Sequence, residues 1–204
     1  MILSDKYKFI FVRPQKIGGT SLESAIYKLD KESFRYEPDE KQRLKNILNH
    51  IVDPLHLSDE DIKKLIDKEK YNSYFKFSFT RNPWARLVSL YEYFSNLPNQ
   101  DSYTKNRTFK DFLIHGNSTW WYGAFDNHVD FIGKVDFIGK IENLQKDFDY
   151  VCKKIVAPKI KIPHKNATKH KHYTEYYDEE TKQIVAERYA KDIEYFNYKF
   201  GEDG

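Results

Sequence analysis

The sequence is short of cysteine, of long apolar runs and, over one stretch, of acids. Cys152 is the only cysteine in 204 residues. A lone thiol excludes an intramolecular disulfide and leaves no thiol cluster for zinc, so the expectation is a protein of a reducing cytoplasm. No segment approaches the ~20 consecutive apolar residues of a membrane-spanning helix. The opening Met1-Ile-Leu-Ser-Asp-Lys6 has no apolar stretch of signal-peptide length. Residues 150 to 174 hold seven lysines and three histidines and no aspartate or glutamate. Such a run is a solvated surface, a nucleic-acid groove or a seat for a multiply charged small anion.

Aromatic residues are plentiful, at 17% of the chain, and supply a core that a disordered chain of this polarity would lack. The length fits one domain over residues 1–204. Tyr7 to Arg13 is rich in β-formers and is expected to be a strand, followed by a loop over Pro14–Gly19. A helix then begins near Thr20, with Leu22, Ala25, Ile26 and Leu29 on one face. Leu44, Ile47, Leu48 and Ile51 suggest a second helix. Ser58, followed by three acids, opens another through about Glu69. Residues 74–80 alternate ring and polar side chains and are expected to form a strand. Asn82 as cap and Pro83 at the first helical position start a helix to about Ser95, and Thr108 starts another. The hexapeptide VDFIGK occurs twice in tandem, at 129–134 and 135–140, and is a local duplication rather than a solenoid repeat. A helix over about 142–156, a basic loop over Pro158–Tyr177 and a closing helix over 178–194 complete the chain. Strands alternating with helices predict an α/β fold with a mainly parallel β-sheet flanked by helices, its ligands bound at the carboxyl ends of the strands.

Two loops occupy such positions. In KIGGTS, residues 16–21, glycines allow backbone N–H groups to approach an anion closely, and the following helix adds its partly positive N-terminus. Lys16 supplies a full charge, Gly18 and Gly19 the backbone access, Thr20 and Ser21 hydroxyl donors. A tight strand-to-helix turn that merely contains Gly-Gly is the plain alternative. In TRNPWARLVSLY, residues 80–91, Arg81 leaves a strand and faces a helix start, where a guanidinium beside free N–H groups grips phosphate. Ser89 lies two turns along. An arginine paired with an acid and a serine tolerated in a packed helix would be the structural counterpart. Two such loops in one short chain suggest a ligand with two separated phosphate-like groups.

IFVRPQKIGGTS resembles the 5′-phosphosulfate loop of the carbohydrate sulfotransferases, usually Pro-Lys-Thr-Gly-Gly-Thr-Ser. FSFTRNPWARLVSLY resembles their 3′-phosphate motif, in which an arginine and a serine eight positions later bind the donor. VDFIGKIENLQKDF (135–148) and PHKNATKHKHYTEYYDEET (163–181) are similar to the family's C-terminal half, so the resemblance spans nearly the whole chain. It implies the donor 3′-phosphoadenosine 5′-phosphosulfate, a sheet core like that of P-loop nucleotide kinases, and metal-free sulfuryl transfer to a hydroxyl of a carbohydrate or glycolipid. Ile17 departs from the usual threonine and removes a hydroxyl from the first loop. Arg13 and Gln15 replace the commoner histidine and proline.

In-line transfer moves charge onto the leaving phosphate oxygens, and Lys16 is the natural group to stabilise them. The acceptor hydroxyl needs a base. His56, in an element resembling the family's His-x-(Thr/Ser), is the candidate and His50 the runner-up, with His115 and His128 structural. The basic loop matches a family segment that closes near the donor, which makes Lys169, His170 and Tyr173 candidate donor contacts. Trp120-Trp121-Tyr122 is a core cluster or a sugar-stacking platform. Glu142 and Asp147 are expected to be structural. Two other readings remain. A nucleotide kinase or NTPase would need a Gly-Lys-Ser/Thr order and an acid where Arg81 stands. A nucleic-acid-binding module would use the basic 153–172 segment.

Overall fold

The structure is a computed structural model that describes residues 1–35, 56–97, 104, 107–117, 123–163 and 171–202. The expected helix around Leu44–Ile51, together with His50, the 120–122 aromatics, Lys169 and His170, lies outside the described residues. The described strands are β1 (Ile2–Ser4), β2 (Phe9–Phe11), β3 (Phe34–Arg35), β4 (Phe75–Thr80) and β5 (Phe137–Lys140). They form one sheet in the order β3-β1-β2-β4-β5. The pairs β2–β4 and β4–β5 are parallel, whereas β1 pairs antiparallel with both β2 and β3. The expected parallel arrangement therefore holds for the three strands that lead into the candidate site, and an antiparallel extension is added at one edge. β1, β3 and β5 are strands that sequence patterning does not anticipate, because three, two and four residues are too few to show a period. The chain turns over residues 5–8, so β2 starts at Phe9 and not at Tyr7.

Alternation along the central strands supplies two cores. Phe9 and Phe11 of β2, with Phe77 and Phe79 of β4, face α1 (Gly19–Leu29) and α7 (Leu144–Lys154) and are fully buried. The rings of Phe11 and Phe77 stack at 5.0 Å between centroids. Ile10 and Val12 point to the other face, against Leu57, Ile62 and Tyr71. Both faces are thus covered, as a sheet with parallel central strands requires.

Local competition explains the helix breaks. The helix expected from Ser58 to about Glu69 is two helices, α2 (Asp59–Leu65) and α3 (Lys68–Ser73). Asp67 interrupts it by accepting from the N–H groups of Glu69 and Lys70 at 2.8 and 3.1 Å, which makes it a cap rather than an interior residue. α4 (Pro83–Ser95) starts at Asn82 and Pro83 as expected, and α5 (Phe109–His115) is capped by Thr108. The closing helix breaks at Tyr189 into α8 (Glu179–Arg188) and α9 (Ala190–Phe196).

The two VDFIGK copies adopt different structures. Residues 129–132 of the first lie in α6 (His128–Ile132), whereas residues 137–140 of the second form β5. Asp192 makes the difference at α6, accepting from the N–H groups of His128 and Val129 at 2.8 and 2.9 Å. It also lies 3.8 Å from the buried Arg86 guanidinium. Burial pushes the Asp192 carboxyl above its ordinary pKa even with Arg86 and the two N–H donors opposing it. Removal of Asp192 leaves a buried guanidinium and two buried N–H groups without this acceptor. Asp192→Ala is therefore expected to cost about 3–5 kcal/mol, measured by urea unfolding, with Asp192→Asn losing less. A loss below about 1 kcal/mol would show that α6 does not depend on this carboxylate.

Candidate anion-binding site

Because β2, β4 and β5 run parallel and adjacent, their carboxyl ends share one edge of the sheet. The loops that follow them carry Lys16, Arg81 and Glu142. In the first loop the backbone is left-handed at Lys16 (φ 64) and at Gly18 (φ 67). For glycine this conformation is cheap; for a lysine it is unfavourable by roughly 1–2 kcal/mol. Ile17, between them, is fully buried in the phenylalanine core. Its side chain therefore anchors the loop from below.

Gly18 is the N-cap of α1 and brings no side-chain acceptor. Thr20 is exposed and Ser21 buried on the first turn. A Cβ at Gly19 would sit 2.3 Å from the Arg13 Nε atom, so the glycine is what lets a guanidinium lie against the start of α1. Arg13 also approaches Glu23 at 3.6 Å.

Lys16 points to the second loop. Its ammonium lies 4.4 Å from the Tyr93 ring centroid, a cation–π contact. Tyr93 stands one turn beyond Ser89, so both occupy the same face of α4. Sequence reasoning names Ser89 and misses Tyr93, whose contact with Lys16 only the fold brings about. Arg81 Nη1 reaches the Lys16 carbonyl at 3.5 Å. Arg81 Nε is buried and finds no acceptor among the described residues. Burial, reinforced by the charge of Arg81, pushes the Lys16 pKa down to about 8. Burial likewise lowers the Arg81 pKa, with Glu142 and Tyr198 acting in the opposite direction. Among the described residues neither cation makes an ion pair. Two neighbouring cations held this way make a candidate site for anions.

His56 hangs from the first loop. Its Nδ1 lies 2.9 Å from the Arg13 carbonyl, in a buried setting. A carbonyl can only accept, so in neutral His56 the proton sits on Nδ1 and the lone pair on Nε2. Ser58, two residues on, caps α2 with Asp61. His128 is fully enclosed against Thr80, Nδ1 to Oγ1 3.1 Å, and burial holds its pKa well below the ordinary value. His115 ends α5.

Elsewhere the sequence candidates separate. Tyr173 is buried among the helices, and its hydroxyl donates to the Glu202 carbonyl and accepts from Gly201 N–H at 3.0 and 2.7 Å. Its ring packs in the cluster that also holds Trp84, Leu87 and Val88 of the 80–91 segment. Asp147 accepts from Lys140 N–H at 2.8 Å, a structural bond. Along the first half of the basic segment, Ile160 and Ile162 pack on the core while Lys153, Lys154, Lys159 and Lys161 are exposed. That half is a solvated face.

Because Lys16 titrates near neutrality, anion affinity should be flat below about pH 8 and fall above it. The limiting slope is about tenfold per pH unit, since binding then requires uptake of one proton. Calorimetric titration of adenosine 3′,5′-bisphosphate between about pH 7 and about pH 9.5 checks this, and Lys16→Met should abolish the slope.

The chain is similar to three known entities: a protein, a solved structure and a family profile. A protein of Archaeoglobus fulgidus described as uncharacterized is 36% identical over 109 residues, which are 48% of this chain and 80% of that protein. The crystal structure of a sulfotransferase from Alicyclobacillus acidocaldarius superposes with a TM-score of 0.48 at 15% identity, covering 95% of this chain and 96% of that one. The profile of the Sulfotransferase family matches residues 1–199, and with nearly the full length matched, the chain belongs to that family.

Proposed function

We propose that the protein transfers a sulfuryl group from 3′-phosphoadenosine 5′-phosphosulfate to a hydroxyl of a carbohydrate or glycolipid acceptor. The observation that carries this reading is the pair Lys16 and Arg81, two cations at adjacent strand ends with no ion-pair partner among the described residues. The donor has anionic groups at both ends of its ribose, and two cationic loops suit that separation. The first loop, Gly18, Gly19, Thr20 and Ser21 with Lys16, would take the 5′-phosphosulfate at the start of α1. Arg81 and Ser89 would take the 3′-phosphate. Lys169, His170 and Tyr173 keep the donor-side roles that the family resemblance implies, and Trp120-Trp121-Tyr122 stays a core cluster or a sugar-stacking platform.

In the transfer, the acceptor oxygen attacks sulfur as the bond from sulfur to the bridging oxygen breaks. The electron pair stays with that oxygen on the departing adenosine 3′,5′-bisphosphate, where Lys16 opposes the developing charge. The proton of the acceptor hydroxyl passes to His56 Nε2, the nitrogen that carries the lone pair when Nδ1 donates to the Arg13 carbonyl.

Adenosine 3′,5′-bisphosphate is expected to raise the melting temperature, as a native-state ligand must, and ATP with magnesium to do so far less. Equal shifts would count against the donor assignment. Arg81→Ala removes a charge-assisted contact of roughly 1.5–3 kcal/mol and should weaken bisphosphate binding about tenfold or more, with Ser89→Ala costing less. A base touches the acceptor and not the donor. His56→Ala should keep bisphosphate affinity near the parent value while turnover drops by roughly 10²–10⁴. Lys16→Ala should impair both. His50→Ala is the control, and if it alone loses turnover the base is His50.

A further inference from the structure

The loop that presents Arg81 is held from behind by residues to which the donor reading gives no task. Glu142 follows β5 and uses both carboxylate oxygens. Oε1 accepts from the N–H of Asn82, the residue next to Arg81, at 2.8 Å, and Oε2 accepts from the Tyr198 hydroxyl at 3.3 Å. Asn82 is fully buried and is gripped a second time, its Nδ2 donating to the Lys199 carbonyl at 3.0 Å. Its Oδ1 meanwhile accepts from Trp84 N–H and caps α4. The chain's last described segment, after α9, thus lies against the turn that carries Arg81. Phe200 reinforces the contact edge-on to Trp84, with centroids 5.7 Å apart, and Lys140 fixes the start of the segment by donating to the Phe196 carbonyl at 2.6 Å.

We propose that Glu142 and Tyr198 are positioning residues for Arg81, and that the segment from Phe196 to Phe200 is a wall of the site that selects a 3′-phosphorylated nucleotide. This rests on the assignment of Arg81 to the 3′-phosphate. The physical reason is the anatomy of the turn. Arg81 itself has one long contact, to the Lys16 carbonyl, and its Nε finds no acceptor among the described residues. Its direction is therefore set by its backbone, and its backbone is set by the three bonds of Asn82. The carboxylate of Glu142 also supplies a negative charge that opposes the effect of burial on Arg81. A flexible C-terminal wall would leave the guanidinium free to turn, and the cost would fall on one phosphate alone.

The test compares adenosine 3′,5′-bisphosphate with adenosine 5′-monophosphate, which lacks the 3′-phosphate, by calorimetry on the full chain. Glu142→Gln keeps an acceptor oxygen and loses the charge; Tyr198→Phe loses only the hydroxyl. Each should weaken the bisphosphate roughly three- to tenfold and leave the monophosphate unchanged. In an Arg81→Ala background either change should have almost no further effect, because positioning residues act through the residue they position. A general loss of structure would weaken both nucleotides alike and would lower the melting temperature, and that outcome overturns the proposal. Additive effects with Arg81→Ala, or no effect on the bisphosphate, overturn it too. Should Arg81→Ala itself leave the preference for the bisphosphate intact, the donor assignment fails first and this inference fails with it.

Discussion

Lys16 and Arg81 repel each other, and everything around them is arranged so that they stay together. Burial weakens both charges, the lysine backbone is held left-handed, and neither side chain has an ion-pair partner among the described residues. A backbone placed this way is unfavourable by roughly 1–3 kcal/mol per residue. Four fully buried phenylalanines on β2 and β4 each contribute about 1.5–3 kcal/mol, so the sheet offsets the strain several times over. Ile17 couples the two, because it belongs to the core while its neighbours on either side belong to the site. The rigidity of the core is thereby transmitted to the loop through one side chain.

Different parts of this arrangement were legible in the sequence to different degrees, for physical reasons. Asn82-Pro83 and Thr108 announce their helices because capping is local chemistry, decided within four residues. The Lys-x-Gly-Gly turn announces itself in the same way. The inner strand residues follow from alternation, which the rings of residues 75–79 display plainly. Tyr93 was hidden because its partner is a lysine 77 positions away in sequence, and helical spacing alone says nothing about what faces it. Glu142 was read as structural, which its bond to Asn82 N–H supports, but the second bond, to Tyr198, joins segments 56 residues apart and has no local signature. The inward direction of Ile17 has no local signature either, since a loop residue's direction is a property of the fold.

The site also shows how one backbone bond narrows chemistry. His56 has two ring nitrogens, and a carbonyl at one of them decides which carries the proton in the neutral ring. That carbonyl belongs to Arg13, whose guanidinium lies against the start of α1. One residue thus connects the histidine, the first anion loop and Glu23. Arg13 stands where relatives of the resembling family commonly carry histidine, and its main-chain role does not depend on its side chain.

The repeated hexapeptide has a consequence for information. Val-Asp-Phe-Ile-Gly-Lys is a helix in one copy and a strand in the next, so nothing inside those six residues encodes the choice. The instruction comes partly from Asp192, whose carboxylate receives the first N–H groups of α6. During synthesis the ribosome delivers both copies long before residue 192. Until then β4 is offered two chemically identical edge partners, six residues apart. The bonds that receive the first N–H groups of α6 can form only once Asp192, 64 and 63 positions further along the chain, has been made.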